Sequence, residues 1–329
     1  MFVKTLSALF VGAAIVAAPA AHAADIKELN FGLISTDTST ALRDRWQPVL
    51  DDMSKATGIT IKPFFASDYA GVIESMRFNK VQVAWFGNAG AVKAVDNSNG
   101  EVFAHTTYAN GDPGYWSVIV TAKDSPIKSI DEILKSPKSY SYGAGDPNST
   151  SGYLVPNFYL WIANKIDPSK DFKASRSANH EANLLATMNK QVDFAVTNTE
   201  TLQLYNDSNK DKGKKWEDGV RILWKSPIIP TDPIVRRKDL PADVKKKIED
   251  FLFNYGNTPE QKAKLAKLSF GKFEPSSDKQ LLVIRQLDYA GQKAKAQNDT
   301  TLSDAEKKAK IADLDAKLAA LDKEIKANQ

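Results

Sequence analysis

Three adjacent hydroxyls, Ser149, Thr150 and Ser151, stand in the run Gly145-Asp146-Pro147-Asn148-Ser149-Thr150-Ser151-Gly152. The run follows a short strand-like segment, Tyr140 to Gly143. It precedes an apolar stretch with helical spacing (Tyr153, Leu154, Phe158, Tyr159, Trp161, Ile162). The hydroxyls are therefore expected at a helix start, where the first backbone N–H groups have no intrahelical partner. Amides, hydroxyls and the helix dipole together suit a tetrahedral oxyanion. N-capping by a single Ser or Thr also accounts for the position, but needs neither the second nor the third hydroxyl. His180 opens another helical stretch, after Asn179, and its imidazole can donate to an anion or act as a cap or surface group. Tyr69 opens a third, after Ser67-Asp68, and either donates its hydroxyl to the same anion or lines the cleft.

Two acids are oddly placed for an anion site. Glu200 follows a strand-like segment, and Asp232 lies in the Pro-studded run 226–233. Beside a phosphate alone they would repel the ligand, whereas beside a ligand that also carries an ammonium they would complement it. Their structural alternatives are a helix-start acid before Leu202 for Glu200, and a turn residue or partner of Arg236 or Arg237 for Asp232. Tyr115, Trp116 and Trp85 lie near the same places, where core packing is the ordinary explanation. Catalysis finds little support: the chain has no Cys, and only His105 and His180 beyond the N-terminal segment. Nucleophile-elbow, zinc-helix and phosphate-loop motifs are absent, so no cofactor or metal is expected.

The elements that must position these groups alternate. Leu29 to Ile34 reads as a buried strand, Thr40 to Thr57 as a helix stopped by Gly58, and Ile59 to Phe65 as the next strand. This alternation predicts an α/β layer architecture with a mainly parallel sheet. A helix from Tyr69, Asn79-Lys80, the strand Val81 to Phe86 and Asn88 are then echoed 110 residues later by a helix to Met188, Asn189-Lys190, a strand from Val192 and Asn198. The echo predicts two lobes of like topology, with ligand held outside the carboxyl ends of the strands. Two extended segments, Trp116 to Pro126 and Ile222 to Val235, are read as hinges. One lobe is then 24–118 with 234–290 and the other 119–233, with 203–217 an exposed connection. From Leu302 the chain changes character, and Ile311, Leu314, Leu318, Leu321 and Ile325 form a heptad stripe. Such a tail (291–329) either packs back on its own lobe or joins two copies in a homodimer.

Residues 1–23 read as a cleaved export signal: Lys4, an apolar run from Leu6 to Ala18, and the small-x-small pattern Ala21-His22-Ala23 before a cut at Ala23/Ala24. The net charge of +4 among 26% charged residues is too small and too mixed in sign to argue for nucleic acid.

Several segments together resemble the periplasmic phosphonate-binding proteins of ABC transporters. They are Phe64 to Gly71, Met76 to Val81, Ala84 to Asn88, Gly114 to Val118, the Gly145 to Gly152 run and Asp232 to Val235. The resemblance covers nearly the whole chain beyond the signal. It implies a type II periplasmic-binding-protein fold, two Rossmann-like lobes joined by a two-segment hinge, here with a C-terminal helical extension. It further implies a receptor rather than an enzyme, which closes on a small phosphonate in the periplasm and docks on a permease driven by an ATPase. By matching positions, Ser149, Thr150, Ser151, Tyr69 and His180 would hold the phosphonate. Glu200 and Asp232, with Tyr115 nearby, would hold the tail of an aminoalkyl ligand such as 2-aminoethylphosphonate. Phe86 stands where a Tyr is familiar and Arg236 where a Trp is expected. Competing readings are a receptor for phosphate, phosphite or a sulfonate, a secreted phosphorus-ester hydrolase, and a structural role for the helical tail.

Overall fold

A computed structural model describes residues 26–327; the expected signal segment and its cleavage site lie outside them. In chain order, β1 (Glu28–Leu33), α1 (Ser39–Thr57), β2 (Thr60–Phe65), α2 (Tyr69–Arg77), β3 (Val83–Trp85), α3 (Asn88–Asn97) and β4 (Gly100–Tyr108) come first. The chain then passes through β5 (Gly114–Tyr115) to β6 (Ser117–Ala122), α4 (Ile130–Lys135), β7 (Ser141–Ala144), β8 (Ala174–Ser177), α5 (His180–Met188), β9 (Phe194–Asn198), α6 (Thr199–Ser208), α7 (Trp216–Gly219) and β10 (Val220–Lys225). It returns through β11 (Ile229–Pro230) to β12 (Pro233–Arg237), α8 (Ala242–Asn254), α9 (Pro259–Ala266), β13 (Phe270–Pro275), α10 (Leu282–Asn298) and α11 (Asp304–Ala327). Between β7 and β8 lies a helix wound wider than an α-helix, Thr150–Leu154 and Asn157–Ile162, in which the Leu154 N–H donates to the Ser149 carbonyl five residues back.

The strands form two main sheets, ordered β13-β4-β12-β3-β1-β2 and β10-β6-β9-β7-β8. Each has a parallel core from its own strand–helix–strand units, β2-β1-β3 in one and β8-β7-β9 in the other. Beside each core lies the strand that has just crossed from the other half, β12 or β6, and it runs antiparallel to its neighbours. The sheets are thus mixed, not mainly parallel, because a chain arriving from the opposite lobe enters against the local strand direction. β6 lies whole in the second sheet, so the expected boundary at 118/119 falls inside a strand. The crossing segments are 109–116 and 226–232, tied where Ile229 pairs antiparallel with Tyr115. The polar run 203–217 begins inside α6 and ends inside α7, so only part of it is a connection.

The echo is real but its register is 111. Tyr69 and His180 are the first residues of α2 and α5. Asn79 and Lys190, both at positive φ, turn the chain after those helices, and Gly87 and Asn198 cap α3 and α6. The Asn-Lys pairs coincide at 110 because one residue type happens to recur a position away from its structural counterpart.

Each sheet has its own core. In the first, Trp46 of α1 meets Phe31, Trp85 and Phe270 at ring-centroid distances of 5.4, 5.6 and 5.8 Å, so Trp85 is a core ring. In the second, Tyr142 stacks on Phe194 at 4.9 Å, with Trp161 and Phe172 closing the cluster. The C-terminal stripe faces inward: α11 folds back along α10, Leu314 and Leu321 are buried, and Lys293 pairs with Asp315. No helix among the described residues is long and apolar enough to cross a membrane.

Candidate ligand-binding cleft

Five helices begin at strand ends that face one another between the sheets. These are α2 after β2, α3 after β3, the wide helix after β7, α5 after β8 and α6 after β9. Their N–H groups and dipoles make this an electropositive place. Ser149 is the N-cap of the wide helix: its hydroxyl accepts from the Gly152 N–H at 2.9 Å and lies 3.3 Å from His180 Nε2. The Thr150 hydroxyl crosses the cleft and accepts from the Ala89 N–H at 2.9 Å. Ser151 Oγ accepts from Asn198 Nδ2 at 3.2 Å and lies 3.5 Å from His180 Nε2. All three hydroxyls are buried, as are Tyr69 and His180. A single cap thus accounts for Ser149 alone, and the other two hydroxyls are also directed into the cleft.

The loop reaches this shape through close glycine contact. A side chain on Gly145 would place its Cβ 2.5 Å from the Gly152 backbone. Asp146 fastens the loop to the opposite half, accepting from the Tyr69 N–H at 3.1 Å and the Asn148 N–H at 2.7 Å. His180 Nδ1 is buried without a partner, and burial lowers the imidazole pKa to about 4. It is therefore neutral at pH 7, a hydrogen-bonding group rather than a charge. Burial, then Asp232 and Asp146, push the Tyr69 hydroxyl well above its usual range, while Ser149 opposes this, so Tyr69 remains a donor.

At the other end of the cleft stand two carboxyls. Asp232 is buried and accepts from the Tyr115 hydroxyl at 3.0 Å. Its segment is held by Asn88, whose Nδ2 donates to the Pro230 carbonyl at 2.8 Å, and by Gln280, whose Nε2 donates to the Thr231 carbonyl at 2.8 Å. Neither nearby arginine takes Asp232: Arg236 binds Glu101 and Glu249 and covers Phe103, while Arg237 binds Asp239. Arg236 therefore belongs to the sheet's outer packing. Glu200, in the first turn of α6, keeps part of its surface toward the cleft. Burial pushes its pKa up to about 7, against the pull of Arg45 and Tyr108. Burial and the charge of Glu200 push Asp232 well above the usual carboxylate range, against Tyr115. Two carboxyls both raised by burial, with the Glu200 charge raising Asp232 further, retain a proton at neutral pH unless a cation joins them.

All eight sequence-predicted residues, Tyr69, Tyr115, Ser149, Thr150, Ser151, His180, Glu200 and Asp232, border this one cleft. Sequence reasoning missed Asn198 and Asn88 as site-shaping groups, although both fall in the echo. It also missed Tyr108, the last residue of β4, for which the chain carries no local signal. Phe86 is fully buried beside Gly90. Among the described residues, no cluster of His, Asp and Glu could hold a metal ion.

This fold and cleft define a class, the two-lobed type II solute-binding proteins. The sequence model of the family described as "ABC transporter, phosphonate, periplasmic substrate-binding protein" matches residues 31–281. The phosphonates-binding periplasmic protein of Escherichia coli (strain K12) is 48% identical over 297 residues, covering 90% of this chain and 86% of that protein. A crystal structure of the binding-protein component of an ABC phosphonate transporter from Pseudomonas aeruginosa shares 46% identity and superposes with a TM-score of 0.88, covering 92% of this chain and 99% of that one. The fold alone is shared with PhnD1 of Prochlorococcus marinus (MIT 9301), solved with methylphosphonate (23% identity, TM-score 0.69, 80% of this chain and 97% of that one). The chain belongs to the periplasmic substrate-binding proteins of phosphonate ABC transporters. Its homologues are receptors, not enzymes.

Proposed function

We propose that this receptor captures a zwitterionic aminoalkylphosphonate, with 2-aminoethylphosphonate as the reference ligand, and delivers it to the permease of its importer. The phosphonate would take the hydroxyls of Ser149, Thr150, Ser151 and Tyr69, the imidazole of His180, and the free amides of the surrounding helix starts. The ammonium would lie between Glu200 and Asp232, with the Tyr115 hydroxyl fixing Asp232. The observation that carries this reading is the pair of carboxyls, buried Asp232 and half-buried Glu200, both raised by desolvation, at the far end of a cleft otherwise built for an anion. A phosphate or phosphite ligand offers such a pair no cation to hold, and each carboxyl that ionised would oppose it.

Closure follows from the same arrangement. The first lobe would comprise 26–108 and 233–298, the second 117–225, with 109–116 and 226–232 as the hinge. Tyr69 and Asp232 then act from one lobe, and Ser149 to Ser151, His180 and Glu200 from the other. A ligand touching both stabilises the closed form, and that difference in affinity is what shifts the population. Export by a cleaved signal places the receptor in the periplasm.

Calorimetry with 2-aminoethylphosphonate, methylphosphonate, phosphate, phosphite and a sulfonate tests the assignment. The amine-bearing ligand should bind most tightly, by at least about tenfold, or about 1.4 kcal/mol. Equal or tighter binding of phosphate, phosphite or the sulfonate sinks it in favour of a simple oxyanion receptor.

A further inference from the structure

The cleft does not end at Glu200. Glu200 and Tyr115 also form the inner wall of a cavity of about 460 Å³ that continues outward between the lobes. Its wall carries three aromatic rings, Tyr108, Tyr115 and Trp116, and two further acids, Asp112 and Asp207. Tyr108 lies edge-on to Tyr115 at 6.4 Å and is only 9% exposed, with Glu200 as the neighbour of its hydroxyl. Lys225 Nζ stands 3.7 Å from the Trp116 ring centroid, so one face of that ring already carries a cation, whose charge Asp112 and Asp207 of the same wall offset. Rings and carboxylates in one wall are the combination that favours an ammonium, including an alkylated one that cannot donate enough hydrogen bonds to a compact site.

The geometry points to a second subsite for the tail of larger ligands: phosphonates whose cationic end is N-alkylated or set on a chain longer than two carbons. The phosphonate keeps its place at Ser149 to Ser151, and the tail passes Glu200 into the cavity beside Tyr108 and Trp116. The inference rests on the aminoalkylphosphonate reading above and extends its substrate class. Asp112 and Asp207 are exposed and take no part in the inner site, so they report on the cavity alone.

Calorimetry on the mature chain should compare 2-aminoethylphosphonate, its N,N,N-trimethyl derivative, 4-aminobutylphosphonate and the uncharged-tail control n-pentylphosphonate. Both larger cations are expected to bind within tenfold of 2-aminoethylphosphonate, with n-pentylphosphonate more than tenfold weaker than 4-aminobutylphosphonate. The double substitution Asp112→Asn, Asp207→Asn should weaken the larger cations about threefold or more and leave 2-aminoethylphosphonate unchanged. A loss beyond tenfold for both larger cations overturns the subsite, and so does a double variant that weakens all ligands alike. Binding of 2-aminoethylphosphonate without the larger cations removes this inference alone. Failure of every phosphonate to bind removes the underlying reading as well.

Discussion

Glu200 sets the pH behaviour expected of the proposed site. Its carboxyl, raised to about 7, is half protonated in the free protein near neutrality, and Asp232 is displaced in the same direction. A bound ammonium would favour both charged forms, so binding an amine should release protons. Affinity for 2-aminoethylphosphonate should therefore rise as pH increases from about 5 toward 7, with proton release read from calorimetry in buffers of different ionisation enthalpy. Methylphosphonate, which has no ammonium, should show no such rise. The sign for stability is the reverse. A carboxyl whose folded pKa exceeds its unfolded value stabilises the free protein at low pH, and that contribution fades as pH climbs through about 7. His180, held near 4, acts oppositely: its contribution is full above its ordinary value near 6.5 and is lost as pH falls toward 4. Substitution separates the two ends of the site. Glu200→Gln or Asp232→Asn should weaken 2-aminoethylphosphonate at least about tenfold and leave methylphosphonate within a few-fold, since removing one member of a buried charge pair costs about 2–5 kcal/mol or more. Ser151→Ala should weaken both ligands, by about 1.5–3 kcal/mol for a hydrogen bond to a charged group.

Among the elements, the cap of α3 joins the lobes most closely. A Cβ on Gly87 would stand 3.3 Å from the Thr150 hydroxyl and 3.9 Å from Asp232, so a larger group there would enter the space between the two ends of the site. Gly87→Val should reduce ligand affinity at least about tenfold by opposing closure, while the melting temperature of the ligand-free protein changes little; an unchanged affinity would refute the close approach. The C-terminal hairpin behaves differently. α11 buries Leu314 and Leu321 against α10, whereas the site draws only on residues up to Gln280. A chain ending at residue 300 should therefore keep its ligand affinity within about threefold. Loss of binding in that chain would make the tail part of the receptor's working surface.

Across the whole molecule, ligand binding and stability would be linked, because the proposed site lies where the two lobes meet. At a free ligand concentration of about 100 times Kd, mass action adds about 2.7 kcal/mol to the folded state. Thermal unfolding with graded 2-aminoethylphosphonate should show a rising midpoint, while small-angle scattering shows the radius of gyration falling. A midpoint that rises without compaction would mean binding to one lobe and would count against closure. Among the described residues the lobes already meet through Thr150 and Ala89, Asp146 and Tyr69, and Tyr115 and Asp232. Ligand would therefore add its own contacts to a set the protein can make alone.

The amino-acid sequence by itself determined the alternation of strands and helices, the helix start at Ser149 and the repeat of one lobe in the other. These are local matters of periodicity, capping and residue type, written within a few turns of chain. Resemblance of short segments carried the family and the eight site positions. Tertiary structure decided the rest. It put β6 whole in the second sheet and made both sheets mixed. It set the echo's register at 111 and gave Arg236 to Glu101 and Glu249 rather than to Asp232. It also raised Glu200 and Asp232 by placing two acids, 32 residues apart in sequence, in one buried space beside Tyr108 and Tyr115. Strand order, burial and the coupling of charges depend on which distant residues become neighbours, and no spacing along the chain records that.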